Sequence, residues 1–130
     1  MTFLKPWQPQ LLGLLRIMSA ALFLQHGTTK HLNFPVSPMN DTPFTSLGGI
    51  AGLFELVGGA LLLVGLFTRP VAFVLSGLMA AAYFIAHAPQ GFFPILNGGE
   101  LAALYCFVFL YLASSGGGAW SVDRAIRKDV

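Results

Sequence analysis

The chain has 130 residues, of which 55% are hydrophobic and 9% charged, and its mean hydropathy is +0.73. Soluble domains carry roughly 25% charged residues, so this chain lacks the polar surface a water-soluble fold needs and reads as an integral membrane protein. A scattered net charge of +2 offers nucleic acid no basic patch, and a single cysteine, Cys106, permits neither an internal disulfide nor a CxxC pair.

Length allows one domain, residues 1–130. The N-terminal MTFLKPWQP is polar enough for a membrane interface, with Trp7 beside Lys5 as a headgroup-level anchor. A first helix is expected over about residues 10–27. Ser19-Ala20-Ala21 loosely resembles a signal-peptidase site, but Arg16 interrupts the apolar run and LFLQHG continues it without a polar break, so a retained span is the better reading. Residues 27–46 hold three prolines and form a loop. In it His31 reads as an ordinary loop histidine, and the Asn40-Asp41-Thr42 sequon carries no weight.

A second helix is expected over 47–68, LGGIAGLFELVGGALLLVGLFT, a length that crosses a bilayer core of ~30 Å. Its one charged side chain is Glu55, which must face protein, water or a partner rather than lipid. The small residues Gly48, Ala51, Gly52, Gly58 and Gly59 allow another helix to approach closely. Arg69-Pro70 follows, and proline suits the first turn of a third helix over about 70–88. An uncharged loop, PQGFFPILNGG, leads to a fourth helix over about 99–115. SSGGGAW stops that helix, and residues 120–130 form an interfacial segment in which Ser121 is a plausible N-cap for a short surface helix.

The fold class is thus all-α, an integral membrane four-helix bundle. With four spans, Lys5, Arg69, Arg124, Arg127 and Lys128 share one side and Lys30 alone occupies the other, so the positive-inside rule puts both termini in the cytoplasm. No internal repeat is evident.

At about 1.5 Å per residue, Glu55 lies roughly 12 Å below the outer boundary, and most intramembrane polar groups fall in the outer half. Arg16, Ser19, Ala20, Phe23, Gly27 and Lys30 share one side of the first helix. Ser76, Tyr83 and His87 stripe the third, and Glu100 lies on a different side of the fourth from Tyr105. Arg16 is the natural counter-charge for Glu55, and Lys30 for Glu100, since lipid cannot solvate either charge. The candidate catalytic groups, in the sense of proton handling, are Glu55, His87 and Glu100; Arg16, His26, Lys30 and Tyr83 are the candidate ligand-binding groups. Histidine titrates near neutral pH and a desolvated glutamate is raised toward it. An ion pair that only fixes helix register is the competing reading for Arg16 and Glu55. His26, His87 and Glu100 are a poor metal set, because no HxxxH or ExxH pair sits on any helix, and no nucleophile elbow marks a hydrolase. Cys106 reads as a small packing residue.

The series Arg16, Ser19, Phe23, Gly27, Lys30, then ELVGGALLLVGLFTR from Glu55, FPILNGGELAALYC from Phe93, and GAWSVDR from Gly118 resembles the DoxX family of small bacterial membrane proteins. The similarity runs from about Leu11 to Arg127, with a first loop longer and more proline-rich than expected. The resemblance implies a four-helix membrane fold. It also implies one of several functions, because the family includes a subunit of an archaeal system that passes electrons from thiosulfate to quinone and membrane partners of thiol- and oxidative-stress proteins. The expected function is a quinone-linked redox subunit of the bacterial inner membrane, with quinone as ligand and no motif for haem, flavin, iron–sulfur or metal. The alternatives are a non-enzymatic anchor or assembly partner of a redox or stress complex, using the first loop or the C-terminal segment, and a small proton-coupled carrier. A homo-oligomer or protein partner at the membrane is compatible with each.

Overall fold

The computed structural model describes residues 1–126; Arg127 and Lys128, counted above for orientation, lie outside the described residues. The described chain is helical without strands. A 3₁₀ turn, Thr2–Trp7, leads into α1, Gln8–His31; α2 is Leu47–Val64 and α3 is Thr68–Ala82. The helical rod continues past α3 through a π-turn, Tyr83–His87, and a 3₁₀ turn, Ala88–Gln90. The one-turn α4, Pro94–Asn97, precedes α5, Glu100–Ser115, and α6, Val122–Ala125, closes the described chain.

Local chemistry sets these boundaries. Ser46 caps α2 by accepting from the Gly49 N–H at 3.0 Å. Gly65 ends it in the left-handed region at φ 72°, with the Gly65 and Leu66 N–H groups turning back to Leu62 and Leu61 carbonyls. Four residues expected to continue that helix therefore turn the chain and start the next, and Pro70 falls in the first turn of α3, where a missing N–H costs nothing. α1 runs on to His31, four residues beyond expectation, and Gly27, Lys30 and His31 all pack against α2. The loop that follows is pinned to α1 by its own polar residues: Thr29 Oγ1 donates to the Pro35 carbonyl, Asn40 Nδ2 to the Thr29 carbonyl at 2.7 Å, and Asn33 Nδ2 to Asp41.

The helices pack as two intimate pairs, α1 on α2 and α3 on α5, joined between α2 and α3. In the first pair, a Cβ on Gly27 would stand 2.7 Å from the Leu56 nitrogen and 2.8 Å from the Gly52 carbonyl oxygen, and one on Gly59 would meet the Leu24 Cα at 3.0 Å. Of the small residues read from the sequence, Gly52 and Gly59 form the α1–α2 seam. On the other side of α2, Gly58 receives Leu75 of α3. The apolar core, Ala20, Phe23, Leu62, Ala72, Leu75, Phe109 and Leu112, sits where the pairs meet. Phe23 bridges them edge-on to both Tyr105 and Phe109, at 5.4 and 5.0 Å between ring centroids.

The outside is as apolar as the inside. Met18, Val57, Phe73 and Phe107 are each more than 60% exposed, while Arg16, Glu55, Thr68, Ser76, Asn97 and Asp123 are buried. That inversion is what a lipid solvent selects. Three rods are long and apolar enough to cross a membrane: Thr2–His31, Leu47–Val64 and Thr68–Gln90. The fourth expected span falls short, since the 16 residues of α5 reach only about 24 Å.

Candidate functional site

Glu55 is drawn into the bundle by the same face of α2 that carries Gly52 and Gly59, and only 4% of it is exposed. Its partner is Lys30. The ammonium Nζ donates to Glu55 Oε1 at 2.9 Å, with both side chains largely withdrawn from solvent. Gly52 makes this contact possible, because a Cβ there would stand 3.1 Å from Lys30 Cδ and 2.6 Å from His31 Nε2. His31 closes the same end of α1. Its Nε2 lies 2.7 Å from the Gly49 carbonyl, which accepts from it, and its ring stacks on Phe44 at 4.4 Å. The second oxygen, Glu55 Oε2, is buried and has no hydrogen-bond partner among the described residues; the same holds for the Tyr105 hydroxyl and His31 Nδ1. Tyr105 is 5% exposed, its ring packed against Phe23 and Phe109. The Glu55 carboxylate and Lys30 ammonium thus form one buried pair, and the Tyr105 hydroxyl is a second buried, unpartnered group in the bundle. Orphaned buried polar atoms are uncommon and call for an occupant or a function.

Arg16 does not reach Glu55. It is fully buried at the opposite end of α1, where its guanidinium donates from Nη1 to the Gly117 carbonyl and to that of Ala119 at 3.3 Å, and from Nη2 to the Trp120 carbonyl at 2.9 Å. Five donors in a rigid fork suit three carbonyls of one chain turn, and the guanidinium sits level with Gly65, ten residues and about 15 Å along α2 from Glu55. The tail is tied down from the other side by Asp123, whose Oδ1 and Oδ2 accept from the Phe67 and Thr68 N–H groups at 2.8 and 2.9 Å. These are free donors at the start of α3, so Asp123 caps that helix in trans. Ser121 caps α6 as expected, accepting from the Arg124 N–H at 3.1 Å. The short helix lies at the surface as expected, with Val122, Arg124, Ala125 and Ile126 exposed, but the turn before it, buried at Gly117, Ala119 and Ser121, plugs the end of the bundle, and Arg16 is its counterpart there.

Lys30 likewise does not meet Glu100, which is exposed at the start of α5 on the outward face with Leu104 and Phe107. The side of α5 that turns inward is Tyr105, Phe109 and Leu112. Tyr83 and His87 do meet, around Asn97 of α4: Asn97 Nδ2 donates to the Tyr83 hydroxyl at 3.2 Å, and His87 Nδ1 lies 3.1 Å from the Asn97 carbonyl. Ser76 Oγ donates to the Cys106 carbonyl at 2.7 Å, and Cys106 is a half-buried packing residue. His26 is half-buried on α1. Of the seven residues singled out from sequence, Lys30 and Glu55 form one site, Tyr83 and His87 a second cluster, and Arg16 a third. Among the described residues, no three His, Cys, Asp or Glu side chains come together as a metal set.

A family model, DoxX, matches residues 11–88. The chain belongs to the DoxX family. Two relatives from Haemophilus influenzae are described as uncharacterized proteins. One is 47% identical over 133 residues, covering 98% of this chain and 99% of the relative. The other is 33% identical over 91 residues, covering 70% of this chain and 60% of the relative. No solved structure matches significantly.

In this DoxX protein the matched region holds Lys30, His31 and Glu55, whereas Tyr105 and the tail plug lie beyond it. The sequence contained one signal for Tyr105: it recurs with Phe109 and Leu112 at helical spacing, which marks a buried face. Glu100 drew attention to the wrong side of the helix. His31 escaped because the proline-rich stretch that follows it made the whole region read as loop.

Proposed function

We propose that this DoxX protein is a four-span subunit of the bacterial inner membrane, with both termini cytoplasmic, that binds a quinone at Lys30, Glu55 and Tyr105 and handles the protons of its redox cycle. The observation that supports the reading best is that Glu55 Oε2, on the carboxylate paired with the Lys30 ammonium, and Tyr105 Oη are both buried without a hydrogen-bond partner among the described residues. These groups fit a ring carbonyl. The Tyr105 hydroxyl or the Lys30 ammonium would donate to its oxygen, and Glu55 Oε2 would take or return a proton. A bound quinone supplies the two-electron, two-proton couple. The chain carries no haem, flavin or iron–sulfur motif, so electrons come from a partner protein or a small reductant. The earlier site of Arg16, His87 and Glu100 is thereby replaced: Arg16 holds the tail, His87 belongs to the Asn97 cluster, and Glu100 faces outward.

The test is binding of decylubiquinone to the purified protein in nanodiscs. Tyr105→Phe removes one orphaned hydroxyl and leaves the fold intact, so a lost hydrogen bond of about 1–1.5 kcal/mol lowers affinity roughly tenfold. Glu55→Gln lowers the proton-linked rate of reduction. Absence of binding, or equal binding by wild type and both variants, overturns the proposal.

A further inference from the structure

The shortfall of α5 has a structural answer in the segment that precedes it. Three contacts fix the register of the antiparallel α3–α5 pair: Arg69 Nη1 donates to the Ser114 carbonyl at one end, Ser76 to the Cys106 carbonyl in the middle, and the Tyr83 ring lies 2.7 Å from where a Gly99 Cβ would stand at the other. Gly99 is therefore level with Tyr83, fourteen residues and about 21 Å from Arg69 along the rod. Arg69 belongs at or outside the hydrocarbon boundary. A core of ~30 Å then extends about 9 Å beyond Gly99, and α5 begins inside it.

We propose that residues 91–99 are immersed in that leaflet and contact lipid acyl chains instead of water. The segment has the chemistry for it. Residues 88–99 contain no charged side chain, and Phe92, Ile95 and Leu96 are 87, 77 and 78% exposed, with Phe93 at 60%. Water penalises four such neighbours, whereas acyl chains solvate them.

Non-helical backbone at membrane depth needs its polar groups answered by protein, and much of this segment's backbone is answered in that way. The Leu96 and Asn97 N–H groups donate to the Phe93 carbonyl, and Gly98 N–H donates to Pro94. Asn97, 3% exposed, answers two more: its Nδ2 donates to the Gly91 carbonyl at 2.9 Å and its Oδ1 accepts from Gly99 N–H at 2.8 Å. Pro89 and Pro94 have no N–H to satisfy. The first loop differs in kind, carrying Asn33, Asn40 and Asp41. The immersed segment completes the fourth crossing that α5 alone is too short to make, and it does not depend on the quinone reading.

Single nitroxides at Phe92→Cys and Ile95→Cys in a Cys106→Ala background, in phosphatidylcholine–phosphatidylglycerol vesicles, test this by power saturation. The expected oxygen-to-nickel accessibility ratio at both sites is close to that of a lipid-facing Phe107→Cys label and several-fold above that of Arg124→Cys. A ratio nearer the Arg124 value overturns the proposal. In unmodified protein, hydroxyl-radical labelling gives an independent readout. Phe92 and Phe93 are exposed in the fold itself, so protection relative to the denatured chain supports lipid cover, and labelling at the denatured rate overturns it.

Discussion

Replacing Lys30 by Met strands the Glu55 carboxylate in the bundle, and the cost follows from the geometry. At 2.9 Å and an effective dielectric of ~20, the two charges attract by about 6 kcal/mol before desolvation is subtracted. Breaking one side of such a buried pair costs about 3–5 kcal/mol, whereas replacing both sides with uncharged groups is often close to neutral. Lys30→Met is therefore expected to destabilise by about 4 kcal/mol, with most of that recovered in Lys30→Met/Glu55→Gln, giving a coupling of at least about 2 kcal/mol. Unfolding in mixed dodecylmaltoside–SDS micelles, followed by far-UV circular dichroism, measures all four corners of the cycle. The companion cycle of Arg16→Met with Glu55→Gln is expected to be additive within about 0.5 kcal/mol, because the two residues share no partner. Additivity in the Lys30 cycle, or strong coupling in the Arg16 cycle, refutes the assignment of partners.

Arg16→Lys is expected to lose about 2–3 kcal/mol, since one ammonium cannot serve the carbonyls of Gly117, Ala119 and Trp120 together; the same unfolding assay reads it, with faster trypsin cleavage at Arg124 reporting release of the tail. Asp123→Ala, which uncaps α3, should cost about 2 kcal/mol, and Asp123→Asn, which keeps one acceptor oxygen, distinctly less. Gly27→Ala places a Cβ against backbone atoms of α2 that cannot rotate aside, so a loss of about 3 kcal/mol or failure to recover folded protein is expected. Leu14→Ala, on the outward face of α1 with Leu14 half exposed, is the control and should fall within about 0.5 kcal/mol of wild type.

Membrane residence, the helices and their order were legible because each rests on short-range chemistry. Apolar runs of spanning length, the Ser121 cap, the proline after Arg69 and the small residues of α2 act on neighbours within a few residues. The inward face of α1 was legible for the same reason: Arg16, Ser19, Ala20, Phe23 and Gly27 recur at helical spacing and are all buried. The need of Glu55 for a protein partner also follows from its position alone, since lipid offers a carboxylate nothing.

Which partner it takes was decided by tertiary structure. Arg16 and Lys30 lie on the same face of the same helix, and nothing in their spacing from Glu55 distinguishes them. The choice was made by the tail returning across the bundle some hundred residues later and presenting three carbonyls to Arg16. With Arg16 engaged there, Lys30 passes over Gly52 to reach the carboxylate. Tyr105 turns into the bundle by similar means, because its rotation on α5 is set by Phe23 on one side and by the α3 seam on the other. Local pattern determined that a buried charge existed and must be answered; chain-distant packing determined which cation answers it.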